Sequence, residues 1–577
     1  MKIRTGIPLP LGSTVQGGCV NFSMTAPKDA ACSLLLYKKG DHCPSHEIQL
    51  EPDQLTGQIR CVSVEMEPAR YEYNFKIDGT VTPDPAGRAF SGRSHWKEKR
   101  DMSSHKIRTR IVQDTFDWEG DAPLHLPADE VIAYSLHVRG FTKHASSQVP
   151  SAKRGTFSGI LEKAGYLQQM GINQIHCMPL YDFEEKTDNG INYWGYGPAY
   201  YYAPKAAYAS GSDAVLELKE LVKALHRYGM ELILEMPFTA DTPATVILDC
   251  LKYYRMEFHV DGFLVNPCVV SMELLLREPL FADTKILRKK EEFQMVMRKF
   301  LKGDEGMVPS VIWHLKHLSG GDGTFNYITS HNGFTLADAV AYERKHNEEN
   351  GENNQDGPDY NCTWNCGAEG PARKKSILSL RKNQMRNAFF LLLLAQGTPC
   401  ILAGDEFANS QKGNNNVYCQ DNPVSWLSWN QMERESELVR FVKDLIWFRK
   451  KHRLLHPKKE MEGIDSSGTG IPDVSYHGEN AWQTPSELYS RQLGVYYSGE
   501  APEDEDCFVA YNMHWEPHDF ALPKPVKGKV WHLAASTEAG VLKEPVSFRK
   551  RKSVTLPERS IMVFVGRQEQ PVCQEKL

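Results

Sequence analysis

The hydrophobic and polar positions of the chain change their spacing twice. In the first part, short runs alternate apolar and polar residues and are separated by Gly, Pro and Asp, a pattern typical of β-strands joined by turns. These runs are CVNFSM, ACSLLLYK, IRCVSVEM and YEYNFKIDG. Their length and spacing predict a small N-terminal β-sandwich over residues 1–118.

The middle part has a different pattern. Strand-like apolar runs alternate there with segments of helical periodicity such as AVLELKELVKALHRYG. The strand-like runs include VIAYSLHV, INQIHCMPL, MELILEMPF and VDGFLV. Repeated strand-then-helix units indicate a parallel sheet, and over residues 119–455 they have the length of a (β/α)8 barrel.

The last part, residues 456–577, returns to short strands. Its apolar runs LGVYYSG, DCFVAYNMHW, SVTLP and SIMVFVG predict a C-terminal β-sandwich. The predicted fold class is therefore α/β, with a central (β/α)8 TIM barrel flanked by an N-terminal and a C-terminal β-sandwich. In such a barrel the functional groups lie on the loops that follow the carboxyl ends of the strands.

Composition narrows the range of functions. Hydrophobic residues make up 41% and charged residues 24% of the 577 residues, which is ordinary for a globular protein. The net charge of −6 provides no strong field for nucleic acid or an acidic membrane, so we expect neither as a partner. The longest apolar run, FFLLLLA, is too short to span a bilayer. No apolar stretch follows MKIRTGIPLPLG, and the 13 cysteines lack paired spacing, which together favour a cytoplasmic protein.

No nucleotide or metal cofactor is expected from the motifs. The chain has no GxGxxG or GxxxxGK[ST] motif after a strand. Cys362 and Cys366 are close in sequence, but no second Cys or His pair at zinc spacing accompanies them. We interpret them as two loop cysteines.

Three long segments carry a specific resemblance. They are NYWGYGPAYYYAPKAAYA, YITSHNGFTLADAVAYERKHNEENGENNQDGPDYNCTWNCG and QGTPCILAGDEFANSQKGNNNVYCQDNPVSW. Together with GIPLPLGST near the start and GTFSGILEKAGYLQQMGINQIHCMPL in the barrel region, they resemble the alpha-amylase superfamily, glycoside hydrolase family 13. The similarity is greatest to its glycogen-debranching and isoamylase branch and covers nearly the whole chain. It implies the same three-domain fold, with an N-terminal sandwich similar to a starch- or glycogen-binding module.

The resemblance also implies where the catalytic residues would stand. The family uses an Asp nucleophile after the fourth strand, a Glu acid after the fifth and a stabilising Asp after the seventh. Here the fourth-strand motif reads HVDGFLVN, so Asn266 replaces the nucleophile and Leu264 replaces an Arg. Lys289 takes the place of the acid. Asn332 replaces the stabilising Asp, beside the retained His331.

The third strand and two of the loops also depart from the pattern of the family. The family's ILDVVFNH reads ILEMPFTA, so Glu235 stands for an Asp and Ala240 for a His. Only 20 residues separate Ala240 from Asp261, where debranching enzymes carry a long cleft-forming loop. The loop after Lys289 is also short, because FQMVMRKFLKGDEGM follows almost directly. An amide cannot attack an anomeric carbon, and the Lys pKa of about 10.4 is poorly matched to acid catalysis. We therefore predict that the chain has no catalytic residues.

Three carboxylates remain near the predicted strand ends: Glu235, Asp241 and Asp261. Glu235 stands at a position that the family does not use for bond cleavage, and Asp261 belongs to the family framework. Asp241 is expected to cap the helix that begins near TPATVIL. A new catalytic pair would need close positioning, because a misplacement of about 1 Å can cost orders of magnitude in rate.

Sugar binding is the activity that the remaining residues can support. Tyr193, Trp194 and Tyr196 lie in the aromatic loop, where their ring faces could stack on pyranose rings, with His331 as a hydroxyl partner. The alternative is that these rings only pack the mouth of the barrel.

The sequence thus favours a non-catalytic homologue of debranching enzymes in glycogen or starch metabolism, which binds α-glucan, an active partner enzyme, or both. The partner is implied only by the resemblance, since some isoamylase-type enzymes are paired with catalytically degenerate paralogues. Two alternatives stay open. One is a working α-1,6-glucosidase that uses unrecognised residues, and the other is a structural or interaction protein without sugar binding.

Overall fold

Two β-sheets form the N-terminal region of the computed structural model, which describes residues 1–568 except 99, 101–104, 114, 189, 500, 502, 503 and 550. The strands described there are β1 (Ile3–Thr5), β2 (Gly12–Gln16), β3 (Cys19–Thr25), β4 (Cys32–Lys38), β5 (His46–Gln49), β6 (Ile59–Glu65), β7 (Tyr71–Ile77), β8 (Thr80–Thr82), β9 (Phe90–Ser91) and β10 (Arg108–Arg110). They pair in the orders β1-β6-β3-β2 and β5-β4-β7-β10-β9, with β8 on β7. The alternating apolar side chains meet between the sheets, where Phe22 and Tyr73 pack edge to face at 4.9 Å.

A parallel sheet occupies the centre of the molecule, as the strand-then-helix pattern predicts. The strands of this region are β11 (Ala133–Leu136), β12 (Gln174–Cys177), β13 (Tyr181–Phe183), β14 (Lys186–Thr187), β15 (Gly190–Ile191), β16 (Ala199–Pro204), β17 (Glu231–Met236), β18 (Gly262–Val265), β19 (Lys285–Leu287) and β20 (Cys400–Leu402). Six of them pair in parallel in the order β19-β18-β17-β12-β11-β20. The pairs β13–β16 and β14–β15 are antiparallel and lie in the loop after β12.

Helices connect and cover these strands. The α-helices of the described chain are α1 (Val138–Thr142), α2 (Phe157–Leu161), α3 (Ala164–Met170), α4 (Ala214–Arg227), α5 (Ala244–Phe258), α6 (Met272–Arg277), α7 (Glu292–Lys302), α8 (Val308–Lys316), α9 (Leu336–Ala339), α10 (Lys375–Leu393), α11 (Gln431–Arg434) and α12 (Ser436–Lys451). Short 3-10 turns lie at Pro68–Arg70, Ala128–Glu130, Ala145–Ser147, Ser151–Lys153, Ala206–Tyr208, Pro279–Phe281, Glu348–Asn350, Asp405–Phe407 and Arg453–Leu455. In the described ranges, no helix combines the length and the apolar character needed to cross a membrane.

Helix α4 illustrates how the sequence pattern produces these elements. Asp213 caps its first turn by accepting hydrogen bonds from the backbone N–H groups of Val215 and Leu216 at 3.1 and 3.2 Å. The apolar positions recur at helical spacing, so Leu218 and Leu225 are both fully buried against the sheet. By contrast, Asp241 does not cap α5, because the N-cap residue of α5 is Pro243. The capping role expected for Asp241 is therefore wrong.

The barrel closes without a further strand in the stretch between β19 and β20, all of which is described. Helices α7 and α8 follow β19, and the segment after them bridges both edges of the sheet. The Arg288 N–H donates to the Gly323 carbonyl at 2.9 Å, and Asn326 forms a parallel bridge with Pro399. Gly323 has a φ of +76°, and a Cβ there would lie 2.7 Å from the Ile286 oxygen, so the close approach requires glycine. A cavity of about 400 Å³ lies beside this closure.

The C-terminal region is again formed by β-strands. They are β21 (Val474–His477), β22 (Gln492–Tyr497), β23 (Asp506–Asn512), β24 (His518–Ala521), β25 (Lys529–Ser536), β26 (Gly540–Ser547), β27 (Ser553–Leu556) and β28 (Ser560–Gln568). The main sheet has the order β21-β22-β23-β28-β25-β26, and β24 pairs with β27. Phe508, Trp531 and Phe564 form a core within this region, while Val509 and Val563 on the opposite face join the core of the barrel.

Candidate functional site

The interior of the barrel is filled by three layers of side chains. Because alternate residues of a strand point to the same side, β17 directs Glu231, Ile233 and Glu235 inward. In the lowest layer Lys285 Nζ donates to Glu231 Oε2 at 2.5 Å. The middle layer is apolar apart from His176, whose ring packs on Phe325 at 4.7 Å. In the top layer Lys289, two residues after β19, donates from Nζ to Glu235 Oε1 at 2.9 Å. Two Glu–Lys pairs thus lie above and below a largely apolar layer.

The apolar layer explains one of the replacements predicted from the sequence. Leu264, at the place of the family's Arg, packs with Ile233 and Leu287 in a buried cluster inside the barrel. Its side chain is 4% exposed. A cation at this position would lie in a low-dielectric environment, whereas Leu fills the space with favourable apolar burial.

The top layer is a hydrogen-bonded cluster of four residues, which we call the mouth cluster: Glu235, Lys289, His331 and Tyr196. The Tyr196 hydroxyl donates to Glu235 Oε1 at 2.7 Å and lies 2.7 Å from His331 Nε2. Lys289 Nζ lies 3.5 Å from His331 Nδ1. Since the Tyr196 proton is directed to Glu235, Nε2 of His331 is the donor to the phenol oxygen, and Nδ1 accepts from Lys289. The polar groups therefore satisfy one another.

The electrostatics of the mouth cluster fix its protonation at neutral pH. Burial raises the pKa of Glu235, but the Lys289 cation and the Tyr196 hydrogen bond outweigh it and bring the pKa to about 2. Burial, reinforced by Lys289, lowers the pKa of His331 to about 3. Burial and the Glu235 charge raise the pKa of the Tyr196 phenol well above its usual value. The cluster thus holds one carboxylate and one ammonium, with a neutral imidazole and a neutral phenol.

The other two positions predicted to have lost a catalytic group, Asn266 and Asn332, lie at the surface. Asn266 is exposed, and its side-chain Oδ1 accepts from the Cys268 N–H at 3.0 Å, which stabilises the turn after β18. Asn332 is exposed as well, and its backbone carbonyl accepts from the Ser330 hydroxyl at 3.1 Å. Of the three replaced positions, only Lys289 enters the mouth cluster.

The aromatic loop is anchored against the barrel. Tyr193 is 1% and Trp194 is 6% exposed, whereas Tyr196 is partly exposed. The Tyr193 ring lies 4.2 Å from that of His137, and Trp194 packs edge to face on His331 at 4.9 Å. This burial supports the packing alternative for Tyr193 and Trp194. Stacking of these rings on a sugar stays a prediction.

A buried ionic cluster holds the base of this loop, and no local pattern in the sequence predicts it. It brings Arg93 and Arg100 from the N-terminal region to carboxylates that follow β12 and to Lys205. Arg93 Nη2 lies 3.0 Å from Asp182 Oδ1 and Lys205 Nζ lies 2.5 Å from Glu185 Oε1, with all four side chains at most 1% exposed. These residues come from three separate parts of the chain, and each alone reads as an ordinary surface charge.

The carboxylates outside the mouth cluster serve structural roles. Asp261 precedes β18 and accepts from the Leu232 N–H at 2.7 Å, so it lies at the opposite end of the barrel from Glu235. Its expected place near the functional strand ends is therefore wrong. After β20, Asp405 accepts from the Leu336 N–H at 2.8 Å and from Thr329, and burial raises its pKa to about 7.

Within the described ranges, no three His, Cys, Asp or Glu side chains are grouped so as to hold a metal ion. Cys362 and Cys366 are both buried. Burial raises the pKa of the Cys366 thiol to about 12, which disfavours the thiolate that a metal would require.

Comparison with known proteins identifies the scaffold. Residues 128–239 match the alpha-amylase family, described as the alpha amylase catalytic domain. Chloroplastic isoamylase 1 of Oryza sativa subsp. japonica is 28% identical, in an alignment that covers 91% of this chain and 81% of the relative. A glycogen operon protein GlgX homolog of Mycobacterium bovis is 26% identical, with 97% and 96% covered. The chain is thus similar to the alpha-amylase superfamily. These relatives confirm the predicted similarity to its isoamylase and glycogen-debranching branch.

Solved structures of alpha-amylase superfamily members have the same fold. Type I pullulanase from Bacillus subtilis, solved with maltose, has a TM-score of 0.75 at 17% identity, covering 97% of this chain and 85% of the pullulanase. The catalytic module of the glycogen-degrading pneumococcal virulence factor SpuA has a TM-score of 0.74 at 16% identity, with 98% of both chains covered. These similarities confirm the predicted barrel with flanking β-regions.

The comparisons also show what this alpha-amylase homologue lacks. Its alignment with the Mycobacterium bovis relative extends over 707 positions, more than the 577 residues of the chain, so the relative contains segments that are absent here. The match to the alpha-amylase family ends at residue 239. It therefore stops after β17 and before Asn266, Lys289 and Asn332.

Proposed function

We propose that the protein is a non-hydrolytic member of the debranching branch, which binds α-glucan at the mouth of the barrel. The observation that carries this proposal is the Lys289–Glu235 pair at 2.9 Å. Retaining glycosidases need two carboxyl groups about 5–5.5 Å apart, one as nucleophile and one as acid. Here a cation occupies the place of the acid, and the neighbouring carboxylate is neutralised by it.

Glu235 by itself is unsuited to either catalytic role. With a pKa of about 2, it carries no proton to donate at neutral pH. As a nucleophile it would be weakened, because the Lys289 cation and the Tyr196 hydroxyl both hold its negative charge at Oε1.

Glucan binding is supported by the relatives and by the polar mouth cluster. The names and titles of the relatives refer to isoamylase, glycogen operon proteins, pullulanase with maltose and glycogen degradation. The mouth cluster offers Lys289, whose side chain is 30% exposed, as a donor to sugar hydroxyls at the place where the family binds its substrate. Association with an active debranching enzyme and a cytoplasmic location are further parts of this proposal.

Hydrolysis assays test the non-catalytic part. We expect purified protein to release no more reducing ends from glycogen and pullulan than its Asn266→Ala and Glu235→Gln variants, beside an active isoamylase as a positive control. Turnover by the wild-type chain that Glu235→Gln abolishes would overturn the proposal and establish an α-1,6-glucosidase that uses Glu235.

The same hydrolysis assay should include a variant of Asp405. Asp405 is buried after β20 and has a pKa raised to about 7, a value compatible with a general acid. Its oxygens, however, accept from Thr329 and from the Leu336 N–H, which ties it to the fold. If the wild-type chain is active, loss of that activity in Asp405→Asn with retained thermal stability would identify the acid of the alternative enzyme.

Co-sedimentation with glycogen tests the binding part. The wild-type chain should pellet with glycogen, and Tyr196→Ala should pellet less. A wild-type chain that stays in the supernatant would favour the structural or interaction protein without sugar binding.

A further inference from the structure

A group of exposed rings lies on the C-terminal region, beside the turn that follows α7. Trp515 follows β23 and is 56% exposed, and Tyr489 precedes β22 and is 67% exposed. Leu488, next to Tyr489, is 74% exposed. Single exposed apolar residues are normal in proteins, but two exposed aromatic residues that both contact one buried arginine need an explanation. We refer to Leu488, Tyr489 and Trp515, with Arg491 and Glu305, as the Trp515 surface.

Arg491 is the support that joins these residues. Its side chain is 9% exposed, and its Nη1 donates to the Tyr489 carbonyl at 2.7 Å. Its Nε donates to the Gly303 carbonyl at 2.6 Å, which ties the surface to the barrel. The guanidinium carbon lies 4.9 Å from the centre of the Trp515 ring, within the range of a cation–π contact. The exposed Trp515 ring therefore lies against a fixed, buried group that also holds the backbone of Tyr489.

The Trp515 ring is also positioned from its own loop. The His514 ring stacks on it at 4.1 Å with an interplanar angle of 25°. His514 is in turn fixed, because its Nδ1 accepts from the Glu516 N–H at 3.1 Å. A ring restricted in this way loses little rotamer freedom when a ligand covers it, so more of the contact energy appears as affinity.

The groups around the rings indicate the chemistry of the ligand. Glu305 is held at 3.2 Å from Arg491 Nη2 while its side chain stays 67% exposed, and Glu516 is exposed beside Trp515. A pyranose ring presents an apolar C–H face and a rim of hydroxyl groups. Flat aromatic rings match the face, and carboxylate acceptors match the rim. The core of a protein–protein contact, by contrast, is depleted of charged residues.

We propose that the Trp515 surface binds an α-glucan chain, at residues other than those of the mouth cluster. This inference rests on the glucan binding proposed above and adds a second contact to it. Because glycogen carries many chain ends, two contacts on one protein would raise its apparent affinity for the polymer more than for a short oligosaccharide.

Affinity electrophoresis in gels with glycogen tests the inference. We expect Trp515→Ala and Tyr489→Ala to weaken glycogen binding by roughly tenfold, in line with the loss of a ring contact. Trp515→Phe should restore most of the binding, because it keeps an aromatic ring. Trp447→Ala is the matched control, since Trp447 is 49% exposed on α12 and also lies near a cation, Lys450, at 5.1 Å. It should bind like the wild-type chain.

The outcomes separate this inference from the proposed function. If the wild-type chain fails to bind glycogen, both are overturned. If it binds glycogen and Tyr196→Ala weakens binding while Trp515→Ala does not, the proposed function is supported and the Trp515 surface is not a glucan site. An equal loss in Trp515→Ala and Trp447→Ala would also overturn the inference. In that case the exposed rings are open to assignment as a protein contact.

Discussion

At the scale of single residues, the mouth of the barrel is filled by side chains that contact one another. Lys289 replaces a carboxylic acid and Glu235 is one methylene longer than the Asp of the family, and the two meet at 2.9 Å. Leu264, in place of an Arg, fills the apolar layer beneath them. The two charged residues thus satisfy each other above an apolar side chain.

This pairing predicts energetic coupling. Removing one partner of a fully buried ion pair costs about 3–5 kcal/mol. Because Lys289 is 30% exposed, we expect roughly 1–3 kcal/mol for Lys289→Met and for Glu235→Gln. In the double variant no charge is left unpaired, so its loss should be smaller than the sum. Thermal unfolding of the four proteins measures the coupling, and strictly additive losses would contradict it.

The stability difference between the wild-type chain and Glu235→Gln should also depend on pH, and the pKa of Glu235 fixes the direction of that dependence. The pKa of Glu235 is about 2 in the folded chain, against a reference value of 4.5. Its ionised form therefore stabilises the fold above about pH 4.5, and this contribution is lost as the pH falls towards 2. The stability difference between the wild-type chain and Glu235→Gln should be greatest at neutral pH and decrease through that window. A difference that grows on acidification would contradict the assignment.

The sequence contains a signal for this pair that is easy to overlook. In ELILE on β17 the two Glu residues are four positions apart, and in KILRK, which begins on β19, the two Lys residues have the same spacing, so each pair of charges faces inward. Glu235 and Lys289 are nevertheless 54 positions apart, and β18 lies between β17 and β19. Their contact depends on the curvature of the barrel, which the alternation of residues along one strand does not contain.

At the scale of elements, local patterns predict the strands and long helices, and contacts between distant segments decide the rest. The alternating runs of the first and last parts and the buried runs of the middle part form strands as expected. The contact between the end of β19 and the segment around Gly323 cannot be predicted from local sequence patterns. It depends on the absence of a further strand in the stretch between β19 and β20, all of which is described. The ionic cluster at the base of the aromatic loop also has no local sequence pattern, because its residues come from three separate parts of the chain.

The ionic cluster leads to a prediction about the loop between β13 and β16. Arg100 is 3% exposed, lies 3.3 Å from Glu184 Oε2 and also contacts Glu185, which is fully buried. Arg100→Met would remove one of two cations from each carboxylate and leave Lys205 beside Glu185 and Arg93 beside Glu184, at a cost of roughly 1–3 kcal/mol. We expect a lower melting temperature and faster limited proteolysis in this loop. Arg4→Met, which removes an exposed pair with Glu65, is the control and should change neither. Equal effects of both would contradict a supporting role.

At the scale of the whole molecule, the fold has been retained while the chain has become shorter. The alignment of 707 positions with a relative and the chain length of 577 residues imply segments that only the relative possesses. The barrel still closes, through one hydrogen bond at Gly323 and the bridge at Asn326. The shorter chain thus still forms a closed barrel whose core includes Val509 and Val563 of the C-terminal sheet, but it lacks segments that the relative has.

For this reason we predict that restoring the lost catalytic groups will not restore hydrolysis. In Asn266→Asp/Lys289→Glu, the new Glu would lie beside Glu235, which is 8% exposed, without a cation, because Leu264 occupies the place of the Arg. Two carboxylates in contact raise each other's pKa and destabilise the fold. Asn266 is exposed on a turn, so the carboxylate introduced by Asn266→Asp would face no cleft wall that could hold a sugar against it. We expect no reducing-end release from pullulan and a lower melting temperature, with Asn266→Asp alone as the control of near wild-type stability. Measurable turnover by the double variant would show that the short loops suffice for a cleft and that the barrel lacks only its two carboxyl groups.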